Sequence, residues 1–281
     1  MRASEAATNQ PRVLVERTAF WRNSAAWLAL LTLLAAAPSR AQDLMRFIDL
    51  TSPEMTQAEM TRAEVVAALA AAAGKPLDLT GKRLSGLDLS GLDLSGAVLR
   101  NARFNKANLA GTKLDGAVLD QAWMLQADLT GASLRKASLF QSQMRGARLD
   151  RADLSGARVA GDFTNASLAG AILRGADLSP DLKNQSMGLM RAVLKSAKLE
   201  GADFTGADLS RTDLQFARFA GANLANANLA GAEAGGADFT GANVAGANFD
   251  DTDVNSARIG AMAGEARNLD KALNLNRALK D

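Results

Sequence analysis

The stretch Ala97-Val98-Leu99-Arg100-Asn101, Ala102-Arg103-Phe104-Asn105-Lys106, Ala107-Asn108-Leu109-Ala110-Gly111 repeats itself every five residues. In each unit a small residue precedes a large apolar one by two positions. A helix repeats its faces every 3.6 residues and a strand every two, so apolar residues five apart would drift around either element. The chain must therefore turn once per unit. If each unit forms one side of a square, four units close a coil and residue n lies over residue n+20. The next coil then sits about 4.8 Å away, bonded backbone to backbone as parallel strands are.

Alternation with period two turns both the large centre and the small residue inward, and leaves the other three positions for the outer wall and the corner. From the quoted stretch the centres extend both ways. They run without a slip from Leu79 through Leu99, Phe104, Leu129 and Leu154 to Val159, lose one residue, and continue at Phe163, Leu168, Leu173 and Leu178. A second irregularity spans Ser179 to Ser186. The count resumes at Leu189 and runs through Phe204 and Leu209 to Ile259. This predicts thirty-six units in nine coils, a rod about 43 Å long at about 4.8 Å per coil. Leu99, Phe104, Leu129, Leu154, Phe204 and Leu209 are taken to define its core. Alanine at the small position keeps neighbours apart across the narrow axis, and glycine after the centre eases the corner. If both irregularities keep the order of the faces, one outer column passes from Ser167 through Gly188 to Asp208, and another from Asp177 to Lys198.

The units Ala127-Asp128-Leu129-Thr130-Gly131, Ala152-Asp153-Leu154-Ser155-Gly156 and Ala207-Asp208-Leu209-Ser210-Arg211 resemble the A(D/N)LXX signature of the pentapeptide-repeat family. The resemblance covers Leu77 to Ile259. It implies a right-handed quadrilateral β-helix; the period alone implies the square but not the hand. Thr112, Ser142, Met187, Thr212 and Thr252 depart from the small alanine, and Ala234 leaves a centre underfilled.

Residues 1–41 differ in kind. Four arginines precede the apolar run Ala25 to Ala37, followed by Pro38-Ser39-Arg40-Ala41, the order of a secretory signal. Thirteen apolar residues fall short of the roughly 20 that a membrane-crossing helix needs. Export to the periplasm or medium of a bacterium is therefore expected, with no membrane span once the signal is cut. The segment holds five Arg and two Glu, so the remainder carries 32 − 5 = 27 basic and 30 − 2 = 28 acidic residues, a net of −1. Such a balance gives no strong pull on nucleic acid.

Residues 42–76 are expected to form an N-terminal helical cap, helical from Ser52 to Gly74. Thr61-Arg62-Ala63-Glu64 has the capping-box pattern, with Val65, Val66, Leu69 and Ala73 on one side. The repeat body spans 77–260 and is broken near 179–188, where Pro180 cannot join a ladder and Lys183 lies in the ensuing loop. Residues 261–281 read as an amphipathic C-terminal helix. Because relatives are similar in using a C-terminal helix to dimerise, a homodimer through it is an alternative to a simple cap.

Histidine, cysteine and tyrosine are absent from the chain, which removes imidazole bases, thiol nucleophiles and soft metal ligands. The aspartates before the centres face water on flat walls and are expected to keep ordinary pKa values without a pocket to work in. The chain is therefore read as a non-enzyme without cofactor or metal, built to hold a protein partner. Trp123, Phe140, Phe216, Val98 and Val118 point outward and are the candidates for that contact. Two alternatives stand beside this reading. Some members of the family mimic DNA and bind topoisomerase, which needs continuous negative charge along the rod; the outer columns here alternate in sign. A purely structural or calcium-dependent surface protein is the other.

Overall fold

The structure, a computed structural model, describes residues 48–181 and 191–280. The chain divides after Ile48 into two units, and the following concerns the second alone. The expected signal at residues 1–41, the loop residue Lys183, Met187 and the expected centre Leu189 lie outside the described residues.

From Asp78 onward each five-residue unit contributes one parallel bridge, and the bridges stack into four walls. The first wall runs Asp78, Val98, Val118, Ser138, Arg158, Asp177; the second begins at Arg83, the third at Asp88 and the fourth at Asp93. Coils are numbered from the one that starts at Asp78, so the second starts at Val98. The residue before each centre donates its N–H to the coil behind, and the centre donates to the coil ahead. Asp128 N bonds Ala107 O at 2.9 Å and Leu129 N bonds Arg148 O at 2.7 Å. The chain thus meets the demand that buried backbone groups be paired without any long strand.

Inside, Leu99, Phe104, Leu129, Leu154, Phe204 and Leu209 are all fully buried, with the alanines between them. Four phenylalanines of the later coils form a chain of ring contacts: Phe204 meets Phe219 edge-on at 5.7 Å, Phe219 stacks on Phe239 at 5.1 Å, and Phe239 meets Phe249 edge-on at 5.8 Å. The departures from alanine are accommodated by hydrogen bonds. Thr112 Oγ1 donates to Leu89 O at 3.2 Å, Ser142 Oγ to Leu139 O at 3.0 Å and Thr252 Oγ1 to Leu229 O at 2.8 Å.

The slip after Val159 is a shortened corner. Bridges across it are 19 apart rather than 20, as in Gln143 to Asp162. Gly161 there occupies the inward small position. A Cβ on it would lie 2.6 Å from both the backbone oxygen and the hydroxyl of Ser142, so only glycine fits.

At the second irregularity the register differs from expectation. Asp162 pairs with Val193 and Asp177 with Asp208, a spacing of 31. Relative to a regular coil, 31 − 20 = 11 extra residues leave the ladder between the first and second walls. The lower halves of the expected columns therefore change places. Ser167 continues into Lys198, and Asp177 into Asp208.

Both ends also differ from expectation. At the N-terminus the helix is in two pieces, α1 Pro53–Thr56 and α2 Arg62–Ala72. The capping box at Thr61 and Glu64 is present. Val65 is buried and Leu69 packs on the core, but Val66 is 43% exposed. The lid satisfies the first coil's open edge: Glu59 N donates to Arg83 O at 2.9 Å, and Arg62 reaches Asp88 O and Ser90 O at 2.7 and 2.9 Å. The expected C-terminal α-helix is not formed. The ladder instead continues through Ala263, Arg267, Leu273 and Leu279, with short 3-10 turns at Leu269–Lys271 and Leu275–Arg277. Asn268 and Asn274 precede these turns in the left-handed conformation, which asparagine tolerates. Their leucines recur at a spacing that suits a helix and a five-residue coil about equally, and the ladder's open backbone decides between them.

Candidate interaction walls

The aspartate of the repeat unit has a backbone role. Asp128 Oδ1 accepts from Thr130 N at 2.9 Å and from Thr130 Oγ1 at 2.5 Å, Asp153 and Asp203 do the same for the residue two ahead, and Asp208 accepts from Ser210 N. Each clamps the N–H at the start of a corner, an Asx turn. The next residue then enters the left-handed region, as at Gly131 with φ 64° and Gly156 with φ 65°. Asparagine does the same and adds a ladder. Asn243 Nδ2 donates to Asn223 Oδ1 at 3.0 Å, Asn248 to Asn228 at 3.1 Å and Asn268 to Asn248 at 2.8 Å.

These bonds correct the expectation of ordinary carboxylates. Hydrogen bonds from Thr80 hold Asp78 below the usual range, and those from Ser95 do so for Asp93. At Asp128 burial opposes ionisation, but the Thr130 bonds and the Arg148 charge outweigh it. Asp213 moves the other way, pushed up by burial and by the neighbouring Glu233 against the pull of its Gln215 bond and Arg191. The lowered carboxylates are those that hold corners, and Asp213 is raised by its burial.

Of the five outward apolar residues, four gather. Val98 and Val118 stack on the first wall in the second and third coils, Trp123 stands on the second wall in the third coil, and Phe140 lies at the corner between these walls one coil on. Phe140 also lines a groove of about 550 Å³ with Ser138, Arg158, Asp177 and Pro180. Arg158 is tied down there, at 2.9 Å from Asp177 Oδ1 and 2.7 Å from Ser179 O. Phe216 does not join the group. It sits in the seventh coil at the far corner of the second wall, left-handed at φ 58° and 58% exposed, with its ring laid over Gly236.

Two charge patches on the second wall escaped the sequence reading, because register places them and the register was in error past the break. The second coil brings Arg100, Arg103 and Lys106 to this wall and its corners, and the ninth brings Asp250, Asp251 and Asp253. Among the described residues no ion pair engages Arg103, Lys106, Asp250 or Asp251, and Arg103 Nε is buried without an acceptor. Arg100 has only a 3.7 Å pairing with Asp120.

Among the described residues no cluster of carboxylates could hold a metal ion, and no helix is long and apolar enough to cross a membrane. The repeats form a four-sided solenoid with flat, hydrogen-bonded faces. The model of the pentapeptide repeats matches residues 83–122, 124–159, 162–179, 189–224 and 217–255. The chain belongs to the pentapeptide-repeat family, whose fold is the right-handed quadrilateral β-helix. It is similar to HetL, a pentapeptide-repeat protein involved in heterocyst differentiation regulation from the cyanobacterium Nostoc sp. strain PCC 7120. The two are 30% identical over 79% of this chain and 95% of that one, with a TM-score of 0.42. A trypsin-treated form of QnrB1, a plasmid-mediated fluoroquinolone resistance protein, matches at 18% identity over 69% and 94%, with a TM-score of 0.50. That likeness is one of fold. A comparison with curated proteins finds none that matches.

Proposed function

We propose that the protein is an exported, non-catalytic scaffold that presents a flat wall to a protein partner in the cell envelope. One observation carries the reading: Val98, Val118, Trp123 and Phe140 meet around a single corner within three coils, on backbone held by ladders on both sides. A rigid apolar patch with an aromatic anchor loses little conformational freedom when a partner covers it. The arginine-rich leader before an apolar run supports export. The DNA-mimic alternative has less support, since the third wall runs Asp128, Arg148, Ser167, Lys198, Arg218, Asp238, a column of mixed sign.

The test is capture of partners from envelope extract by the wild type and by the double variant Trp123→Ala, Phe140→Ala, with fractionation of the host to locate the protein. The expected result is an envelope location and a partner retained by the wild type and lost by the variant. Identical partners with both proteins discard this corner as the contact, and a cytoplasmic location discards the envelope role.

A further inference from the structure

The two charge patches lie on one wall but seven coils apart, about 34 Å at about 4.8 Å per coil. That is several times the roughly 8 Å over which charges act at physiological salt, so they cannot neutralise each other within a chain. We propose that the second wall is a self-recognition surface: two copies pack antiparallel, side by side, with the basic second coil of each against the acidic ninth coil of the other. This rests on the reading of the walls as contact surfaces.

Place a two-fold axis along the strand direction, between the fifth and sixth coils. The rotation keeps position along a strand and reverses coil order, so the second coil faces the ninth, the third the eighth and the fourth the seventh. Arg103 then faces Asp253 of the other copy, Asn101 faces Asp251 and Arg100 faces Asp250, with each contact made twice, as an isologous interface requires. Size complements size in the same register. Phe216, whose outer ring face is bare, comes opposite Gly146. Leu125 comes opposite Gly235, and Trp123 opposite Glu233. Moving the axis by half a coil would set Asp162 or Val193 against itself and leave Phe216 facing a different neighbour, so charge and shape select the same alignment.

The wall measures about 43 by about 15 Å, and its roughly 650 Å² per copy falls short of the about 800 Å² of a standard interface. Association in the micromolar range is therefore expected, governed by charge and weakened by salt. This arrangement leaves the ends of the rod free.

Sedimentation of the purified protein between about 1 and 100 µM, in low and high salt, tests the proposal. A dimer that weakens at least about tenfold in high salt is expected. Two variants sharpen it. Arg100→Glu with Arg103→Glu makes both patches acidic, and Asp250→Lys with Asp253→Lys makes both basic. Each alone should be monomeric, while an equal mixture of the two should restore the dimer, because both facing charge pairs, 100 with 250 and 103 with 253, are then between opposite charges. A wild type that stays monomeric throughout the range overturns the proposal, as does a dimer that both variants form unaided. Trp123 lies on this wall, so a foreign partner and a second copy compete for it; capture by the alanine variants of Trp123 and Phe140, run at protein concentrations low enough to keep the dimer dissociated, decides the foreign contact separately.

Discussion

Replacing Phe219 by alanine probes whether each coil is held only by its neighbours. Phe219 is fully buried and is the middle of the ring chain, edge-on to Phe204 at 5.7 Å and stacked on Phe239 at 5.1 Å. Deleting a buried phenylalanine costs about 3–5 kcal/mol, and two ring contacts worth about 0.5–1.5 kcal/mol each place it toward the upper half of that range. The narrow core cannot collapse to fill the space, because the ladder fixes the walls. About 4 kcal/mol corresponds to roughly a thousandfold loss of protection, at about 1.4 kcal/mol per factor of ten. Amide hydrogen exchange is the assay. The amides of Phe219, Asn223 and Leu199, which bond to Asp238 O, Ala202 O and Arg218 O, should exchange about a thousandfold faster. That of Leu109, five coils away on Asp128 O, should change far less. Equal acceleration at Leu109 would show that the rod opens as one body and refute the nearest-neighbour account. Acceleration below about tenfold at Asn223 would show that the aromatic chain is not what holds these coils.

Three further outcomes are expected. Asp128→Ala removes the clamp on Thr130 N and should cost about 0.5–1.5 kcal/mol in a denaturant titration, more than a simple surface change, while Asp128→Asn, which can accept the same bond, should cost less. The depressed carboxylates of Asp78, Asp93, Asp128 and Asp238 stabilise the fold above their unfolded pKa of about 3.9. That contribution is lost as pH falls through their lower folded values, so the thermal midpoint should be flat from about pH 7 to 5 and drop below about pH 4; Asp213, shifted upward, contributes with the opposite sign, and a midpoint that rises below about pH 4 would contradict the assignment. Gly161→Ala should cost about 1–3 kcal/mol by overpacking against Ser142, whereas Gly156→Asn, at a left-handed corner with only a Lys136 side chain at 3.7 Å, should stay within about 1 kcal/mol of wild type.

What could be read from the chain followed from whether a residue's role is local. The inward or outward direction of Leu99, Phe104, Trp123 and Val118 depends on position within one unit, so the period revealed it without coordinates. Face order depends on the length of what lies between units. The one-residue loss at Val159 was legible because Phe163 resumes the pattern at once, and Gly161 supplies the physical reason. The longer excursion was not, because the sequence resumes its five-residue pattern at Leu189, whereas the first rung after Asp177 is at Val193, and the eleven added residues carry no mark of where the faces resume. The C-terminal segment failed for a related reason. Leu269, Leu273, Leu275 and Leu279 fit a helical face, but a ninth coil with an open backbone edge rewards one more turn of ladder over a helix laid across it. The aspartate clamp was hidden differently: the A(D/N)LXX pattern displays Asp or Asn before the centre in unit after unit, though not in all, yet alternation explains only why the side chain points out, and its use appears once the corner two residues on is seen to need an acceptor. The charge patches combine all three limits. Lys106 and Asp251 each look like solvated surface residues in their own unit, and only a register counted correctly through an aperiodic insertion brings them to the same wall.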